Sequence, residues 1–238
     1  ALETVYKYPL RSEYTASEED VNDAIHRIVP SEYKNTWQQL DNPLYAFKKM
    51  AKGPKIKKPK HIFFIVGESI PQWSLDETHK LLNICPGLWD FKSQPNTVQI
   101  PNFLPAGNVS RPSIVSLMSG IYDAGLELNE REQFWNGSFP TSFAYQMKQL
   151  GYQTIYWYGG NASYGNFNHF GKAQGFDRVE SASIFCGPDA PKTWVGVYDH
   201  IFLENIEQQI KALDTPTFHF IYTTSNHSPY KIEDSRII

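Results

Sequence analysis

His61-Ile62-Phe63-Phe64-Ile65-Val66-Gly67-Glu68-Ser69 is a short apolar run that ends on a glycine, a carboxylate and a hydroxyl. Its length and its β-branched and aromatic content suit a strand, and it lacks the alternation of a strand wetted on one face. It therefore reads as a strand buried on both sides. Two more runs have the same character, Thr154–Tyr158 and Thr217–Thr223. Between the strands, helical spacing predicts helices over Ser113–Ser119, Thr141–Leu150 and Val197–Leu213, with Gly151 where a residue just past a helix end is expected. Alternating buried strands and amphipathic helices predict an α/β fold, with a mostly parallel central sheet flanked by helices. Ligands in such folds bind beyond the carboxyl ends of the strands. Those ends carry Glu68-Ser69, Gly159-Gly160-Asn161 and Ser225-Asn226-His227-Ser228-Pro229-Tyr230.

Composition narrows the function classes. With 238 residues and 41% hydrophobic content the chain can bury a sizeable core. A net charge of −3 gives no case for nucleic acid as a partner. Two cysteines, Cys85 and Cys186, make no metal-type spacing, and both a disulfide and two separate thiols are compatible with them. No apolar run reaches the length of a membrane span, and no signal-peptide pattern opens the chain.

The organisation along the chain has three parts. Residues 1–46 read as an N-terminal arm with one amphipathic helix, where Ser17-Glu18-Glu19-Asp20 precedes Val21, Ala24, Ile25 and Ile28. Residues 47–60 form a basic linker, with Lys48, Lys49, Lys52, Lys55, Lys57, Lys58 and Lys60 uninterrupted by an acid. It reads as a solvated linker, or as a strip beside an anionic membrane surface. Residues 61–238 hold the alternating strands and helices of the main domain.

The segment Gly107-Asn108-Val109-Ser110-Arg111-Pro112-Ser113 introduces the first of the helices after the opening strand. A serine there is either an N-cap or a nucleophile held where backbone N–H groups can receive an anion. Glu68, released by the opening strand, is a metal-ligand candidate, and its alternative is a capping or ion-paired acid. A metal beside Ser110 would make the hydroxyl a competent nucleophile for phosphoryl transfer. His79, His169, His200 and His219 are isolated in sequence and read as surface or satisfied histidines rather than ligands, with His169 set apart by its nearness to the Tyr164 segment.

Five segments fall in an order that resembles the lipoteichoic acid synthase and phosphoglycerol transferase family of the alkaline phosphatase/sulfatase superfamily. They are Val66-Gly67-Glu68-Ser69, the Ser110 segment, Tyr158-Gly159-Gly160-Asn161 with Gly175-Phe176-Asp177, Trp194-Val195-Gly196-Val197-Tyr198-Asp199, and Ser225 to Tyr230. The resemblance covers roughly residues 60–230 and leaves the arm unmatched. It implies that Glu68 is a metal ligand, that Ser110 is the nucleophile and a second ligand, and that His227 contacts the substrate head group. Asn161 and Asn166 fall in the segment implied to line the same pocket, and Asn226 is counted with His227 as a substrate contact. It further implies a divalent metal (Mn, Mg or Zn), a phospholipid or cell-envelope glycan substrate, and a catalytic domain outside the cell membrane, on an anchor outside this chain.

Three departures qualify the resemblance. Ser stands where the family has Thr. The segment Tyr164-Gly165-Asn166-Phe167-Asn168-His169 lacks an arginine that some members use for phosphate. The family's Asp-His metal pair, which follows the Asn-His motif, has no counterpart before Ile238. The expectation is an incomplete domain whose isolated chain does not turn over. Two other functions compete. Ser-x-Pro-Ser-x-x-Ser-Leu-Met-Ser-Gly from Ser110 is similar to the sulfatase signature, though Ile114 stands where that signature has Arg. A non-catalytic glycan or lipid head-group module could instead stack sugars on Trp73, Trp89, Trp135 and Tyr164.

Overall fold

The structure, a computed structural model, describes residues 17–41, 45–46, 53, 56–100 and 103–232. Much of the basic run, including Lys48, Lys49, Lys52 and Lys55, lies outside the described residues. The chain divides into two compact units, residues 1–58 and 59–238.

In the first unit, α1 (Glu18–Ile28) begins as its sequence predicts. Ser17 caps it in a reciprocal box with Asp20, and three acids occupy the first turn, where the helix dipole favours them. A small cluster of Val29, Trp37 and Ala46, with Ile25 packed against it, forms the buried part of this unit.

The second unit holds a four-stranded sheet. Its strands are β1 (His61–Val66), β2 (Gln153–Tyr158), β3 (Arg178–Ser181) and β4 (Thr217–Tyr222), in the order β1-β4-β2-β3 with every pair parallel. The helices of this unit are α2 (Pro86–Lys92), α3 (Ser110–Ser119), α4 (Phe143–Gln149), α5 (Phe167–Ala173), the single turn α6 (Ala182–Phe185) and α7 (Asp199–Lys211).

Strand side chains alternate between two cores. Tyr156, Tyr158, Phe218, Phe220 and Tyr222 meet α3, α4 and α5 through Ile114, Val115, Met118, Ala144, Phe167 and Phe170. Ile155, Trp157 and Ile221 meet α6 and α7 through Ala182, Phe202 and Ile206. Each large side chain fully buried in this way contributes about 1.5–3 kcal/mol. The connection from β2 to β3 thus lies on one face of the sheet, and the helices between β3 and β4 lie on the other. A ligand crevice forms at such a switch, beside the ends of β2 and β4.

Strand β1 is less covered. Ile62, Phe64 and Val66 pack into the first core, whereas Phe63 and Ile65 point the other way and are 49% and 60% exposed. His219 is a satisfied core histidine, with a partner at each ring nitrogen. His61 Nδ1 lies 3.1 Å from His219 Nε2, and Trp157 Nε1 donates to His219 Nδ1 at 3.1 Å. The indole donor fixes the tautomer: His219 carries its proton on Nε2 and donates it to His61.

Other boundaries also differ from expectation. Helix α3 starts three residues earlier than the spacing predicts, because Pro112 sits in its first turn, where its missing N–H costs nothing. Strand β3 and helices α2, α5 and α6 have no counterpart among the predicted elements. Among the described residues, no helix is long and apolar enough to cross a membrane. Cys85 and Cys186 are both unpaired thiols, and burial pushes the Cys186 thiol up to about 11.

Candidate active site

Ser110 is the first residue of α3, and the extended residue before it, Val109, makes no side-chain cap. The N-cap reading of Ser110 is therefore set aside. Ser113 Oγ instead bonds back to the carbonyls of Gly107 and Val109, both at 3.0 Å, and fastens the entry loop. The Ser110 hydroxyl is left to face another element, and it donates to Glu68 Oε2 at 2.9 Å.

Glu68 is held from several directions. Parallel pairing of β1 with β4 puts Val66 opposite Tyr222 and delivers Glu68 to the same end of the sheet. Its backbone N–H donates to Thr223 Oγ1 at 3.2 Å. Its carboxylate accepts Ser69 Oγ on Oε1 at 2.8 Å, and Tyr222 Oη on Oε2 at 2.5 Å beside Ser110. The residue is 8% exposed. Burial, and then the Glu68 carboxylate, hold the Tyr222 phenol well above its ordinary range, so it remains a donor. Burial followed by the Glu68 charge pushes Tyr158 up to about 12, with Arg111 opposing them. Tyr158 thus lies within the field of both charges.

A buried carboxylate whose partners are all hydroxyls has its charge oriented but not neutralised. Carboxylate and hydroxyl oxygens are the donors that hard divalent cations take. In kind, Glu68 and Ser110 fit a metal site. In number they fall short: among the described residues, no three His, Cys, Asp or Glu side chains are grouped so as to hold a metal ion.

A second cluster flanks Ser110. Arg111 places its guanidinium 5.0 Å above the Tyr164 ring and donates from Nη1 to Glu130 Oε1 at 3.1 Å. Asn166 Nδ2 donates to the other oxygen of Glu130 at 2.5 Å. Asn166 itself is left-handed, with φ 52°. Asn129 Nδ2 reaches the Gly165 carbonyl at 2.6 Å, and Trp135 stacks on His169 at 4.9 Å. The segment from Tyr164 to His169 is therefore gripped by the stretch from Asn129 to Trp135. Asn161 forms a turn, accepting Ser163 N–H on Oδ1 at 2.9 Å, and is exposed.

Asn226 and His227 have partners of their own. Asn226 lines a hollow of about 320 Å3 with Tyr198, Asp199, His200 and Tyr230, to which neither Glu68 nor Ser110 contributes. His227 Nδ1 is 2.8 Å from the Ser228 carbonyl, and its ring meets Trp194 edge-on at 5.1 Å.

Two of the recurring motifs have a structural explanation. Val197 N–H donates to the Gly159 carbonyl at 2.9 Å, and a Cβ on Gly196 would overlap that carbonyl and Thr224 Oγ1. Asp199 accepts the N–H groups of Thr224 and Ser225 at 2.9 and 3.0 Å. These glycines and this acid lock the loops after β2 and β4 together. Sequence reasoning missed Glu130 and Tyr222. The parallel register that brings Tyr222 to the end of β1 was the signal available for the second.

The chain is similar to proteins of known structure. A protein in the alkaline phosphatase superfamily from Vibrio parahaemolyticus has a similar structure, with a TM-score of 0.61 and 24% identity. The match covers 76% of this chain and 44% of that one. The lipoteichoic acid synthase LtaP from Listeria monocytogenes matches with a TM-score of 0.46 and 17% identity, over 56% of this chain and 32% of its own. The chain thus spans less than half the length of either protein. The likeness to the Vibrio protein establishes a shared fold. The sequence pattern of the family described as Sulfatase matches residues 60–235, most of the chain. With Glu68 and Ser110 meeting beyond the carboxyl end of β1, this chain belongs to the sulfatase family.

Proposed function

We propose that this chain carries the nucleophile of a transferase that moves a phosphoglycerol- or phosphoethanolamine-type group from a phospholipid through a covalent intermediate. The observation that carries the reading is the hydrogen bond from Ser110 Oγ to Glu68 Oε2, at 2.9 Å. It leaves the hydroxyl uncommitted to its own helix and gives its proton an acceptor.

In the first half-reaction, Ser110 Oγ bonds to phosphorus and the phosphorus–oxygen bond to the diacylglycerol breaks. The serine proton passes to Glu68 Oε2 and on to the departing oxygen. In the second, an acceptor hydroxyl attacks phosphorus, the bond to Ser110 breaks and the serine regains a proton. Tyr222 keeps the carboxylate oriented throughout by donating to the same oxygen. Glu68 and Ser110 would hold a divalent cation (Mn, Mg or Zn), which when bound supplies charge stabilisation to the transferred group. Asn161 and Asn166 on one side, with Asn226 and His227 on the other, contact the head group in this reading. A phospholipid donor places the reaction at the outer face of a cell membrane, on an anchor outside this chain.

Membership of the sulfatase family supports a second reading, hydrolysis of a sulfuric ester after Ser110 is converted to formylglycine. Against it, Ile114 is 1% exposed in the core, where the sulfatase signature places a cationic arginine.

The mass of the Ser110 peptide from the protein made in its native host separates the readings. An added phospho-group supports transfer. A loss of two hydrogens supports the sulfatase and overturns transfer. An unmodified serine after exposure to phospholipid and Mn2+ overturns both and leaves the binding-module reading.

A further inference from the structure

Arg111 follows Ser110 directly, yet no role in catalysis or folding has so far required an arginine there. Its guanidinium is a third exposed and held on two sides, by the Tyr164 face at 5.0 Å and by Glu130 at 3.1 Å. A guanidinium offers five N–H donors in a rigid fork, and Glu130 accepts from one end of it. Stacking on an aromatic face fixes the plane without consuming a donor. Pre-organisation of this kind lowers the entropy lost when a tetrahedral anion is bound.

The setting of Glu130 strengthens the case. Its two oxygens take Arg111 and Asn166, so one carboxylate ties the start of α3 to the segment Tyr164–Asn166. A surface ion pair of this exposure would contribute little to stability. As a clamp it does something else: it fixes the guanidinium against Tyr164 and Glu130. The segment Tyr164–His169 contains no arginine of its own, and the structure brings Arg111 onto it from another element.

We propose that Arg111 is a specificity-determining residue that binds an anionic oxygen of the transferred phospho-group, with Glu130 and Tyr164 as its positioning residues. The proposal rests on the assignment of Ser110 as the nucleophile of a group-transfer site. The cation sits one residue from that nucleophile on the same helix end, so a group bound to both spans α3 and the Tyr164 segment.

The test is titration of the chain with inorganic phosphate by calorimetry, at fixed Mn2+ concentration. Arg111→Lys keeps the charge and the pairing to Glu130 but loses the fork and the stack, and should weaken phosphate binding roughly tenfold. Glu130→Gln keeps the guanidinium but loosens it, and should give a smaller loss with the melting temperature held within a few degrees. Lys172→Gln removes a charge from the exposed end of α5 and should leave phosphate affinity unchanged. Equal affinity in wild type and Arg111→Lys overturns the proposal, as does an equal loss in Lys172→Gln, or no phosphate binding by the wild-type chain. Failure of the nucleophile assignment shows separately, as an unmodified Ser110 peptide.

Discussion

Tyr222, the last residue of β4, donates its hydroxyl to Glu68, the second residue past β1, at 2.5 Å. The same carboxylate oxygen receives Ser110, so the orientation of the nucleophile depends on a phenol that sequence reading would place in the core. Tyr222→Phe removes only that hydroxyl. Loss of a buried hydrogen bond to a carboxylate should cost about 2 kcal/mol, read as a lower urea midpoint. Modification of Ser110 should slow in the same variant. An unchanged midpoint would show that Ser110 and Ser69 suffice to hold Glu68.

Removing the carboxylate itself probes the cation. Glu68→Gln keeps the shape and most hydrogen bonds but deletes the carboxylate charge beside Ser110. Calorimetric titration with Mn2+ should show affinity falling at least tenfold. Equal Mn2+ affinity in the variant would place the cation elsewhere.

The histidine pair predicts a pH dependence of stability. Burial, and then the neighbouring His61, lower His219 from 6.5 to about 4. Protonation would put a hydrogen on Nδ1, opposite the Trp157 N–H. The groups around His219 are His61 and Phe63 on β1 and Trp157 on β2, with Arg178 beyond the indole. The folded value lies below the unfolded one, so the unfolded chain binds more protons between the two. Stability from this residue should therefore be complete above about pH 6.5 and decline as pH falls towards 4, by an amount on the order of 3 kcal/mol. Urea melts across this window should show the slope in the wild type and a reduced slope in His219→Gln. Parallel slopes would remove His219 from the account.

Gly196 makes a sharper structural test. A methyl group there meets the Gly159 carbonyl and Thr224 Oγ1, both fixed by neighbouring strands. Gly196→Ala should cost about 3 kcal/mol and disturb the loops after β2 and β4 together. A melting temperature within one degree of wild type would mean that these loops yield easily.

The sequence was most legible where burial was most complete. β2 and β4 are buried along almost their whole length, and their limits were readable to within a residue. β3 escaped because Arg178-Val179-Glu180-Ser181 is short, charged and at a sheet edge, where alternation replaces an apolar run. Pro112 hid the true start of α3, since a proline in a first turn looks like a boundary. In the site, Glu68 drew notice as a polar group after an apolar run, and Ser110 as a hydroxyl on a Gly/Asn loop before a helical stretch. Glu130 did not, since it lies in an aperiodic stretch and acquires meaning only when Arg111 and Asn166 arrive from elsewhere.

Strand β1 finds its partner late. Its ladder runs from His61 opposite Thr217 to Val66 opposite Tyr222, and β4 is its neighbour in the sheet. During synthesis at roughly 5–20 residues per second, the run from Phe63 to Ile65 waits on the order of ten seconds or more before β4 has been made. Throughout that interval an apolar segment with open backbone groups is available to any passing strand. Newly made chains should therefore be most vulnerable to aggregation before β4 emerges, and a chaperone that shields β1 should raise the yield of folded protein more than one acting after release.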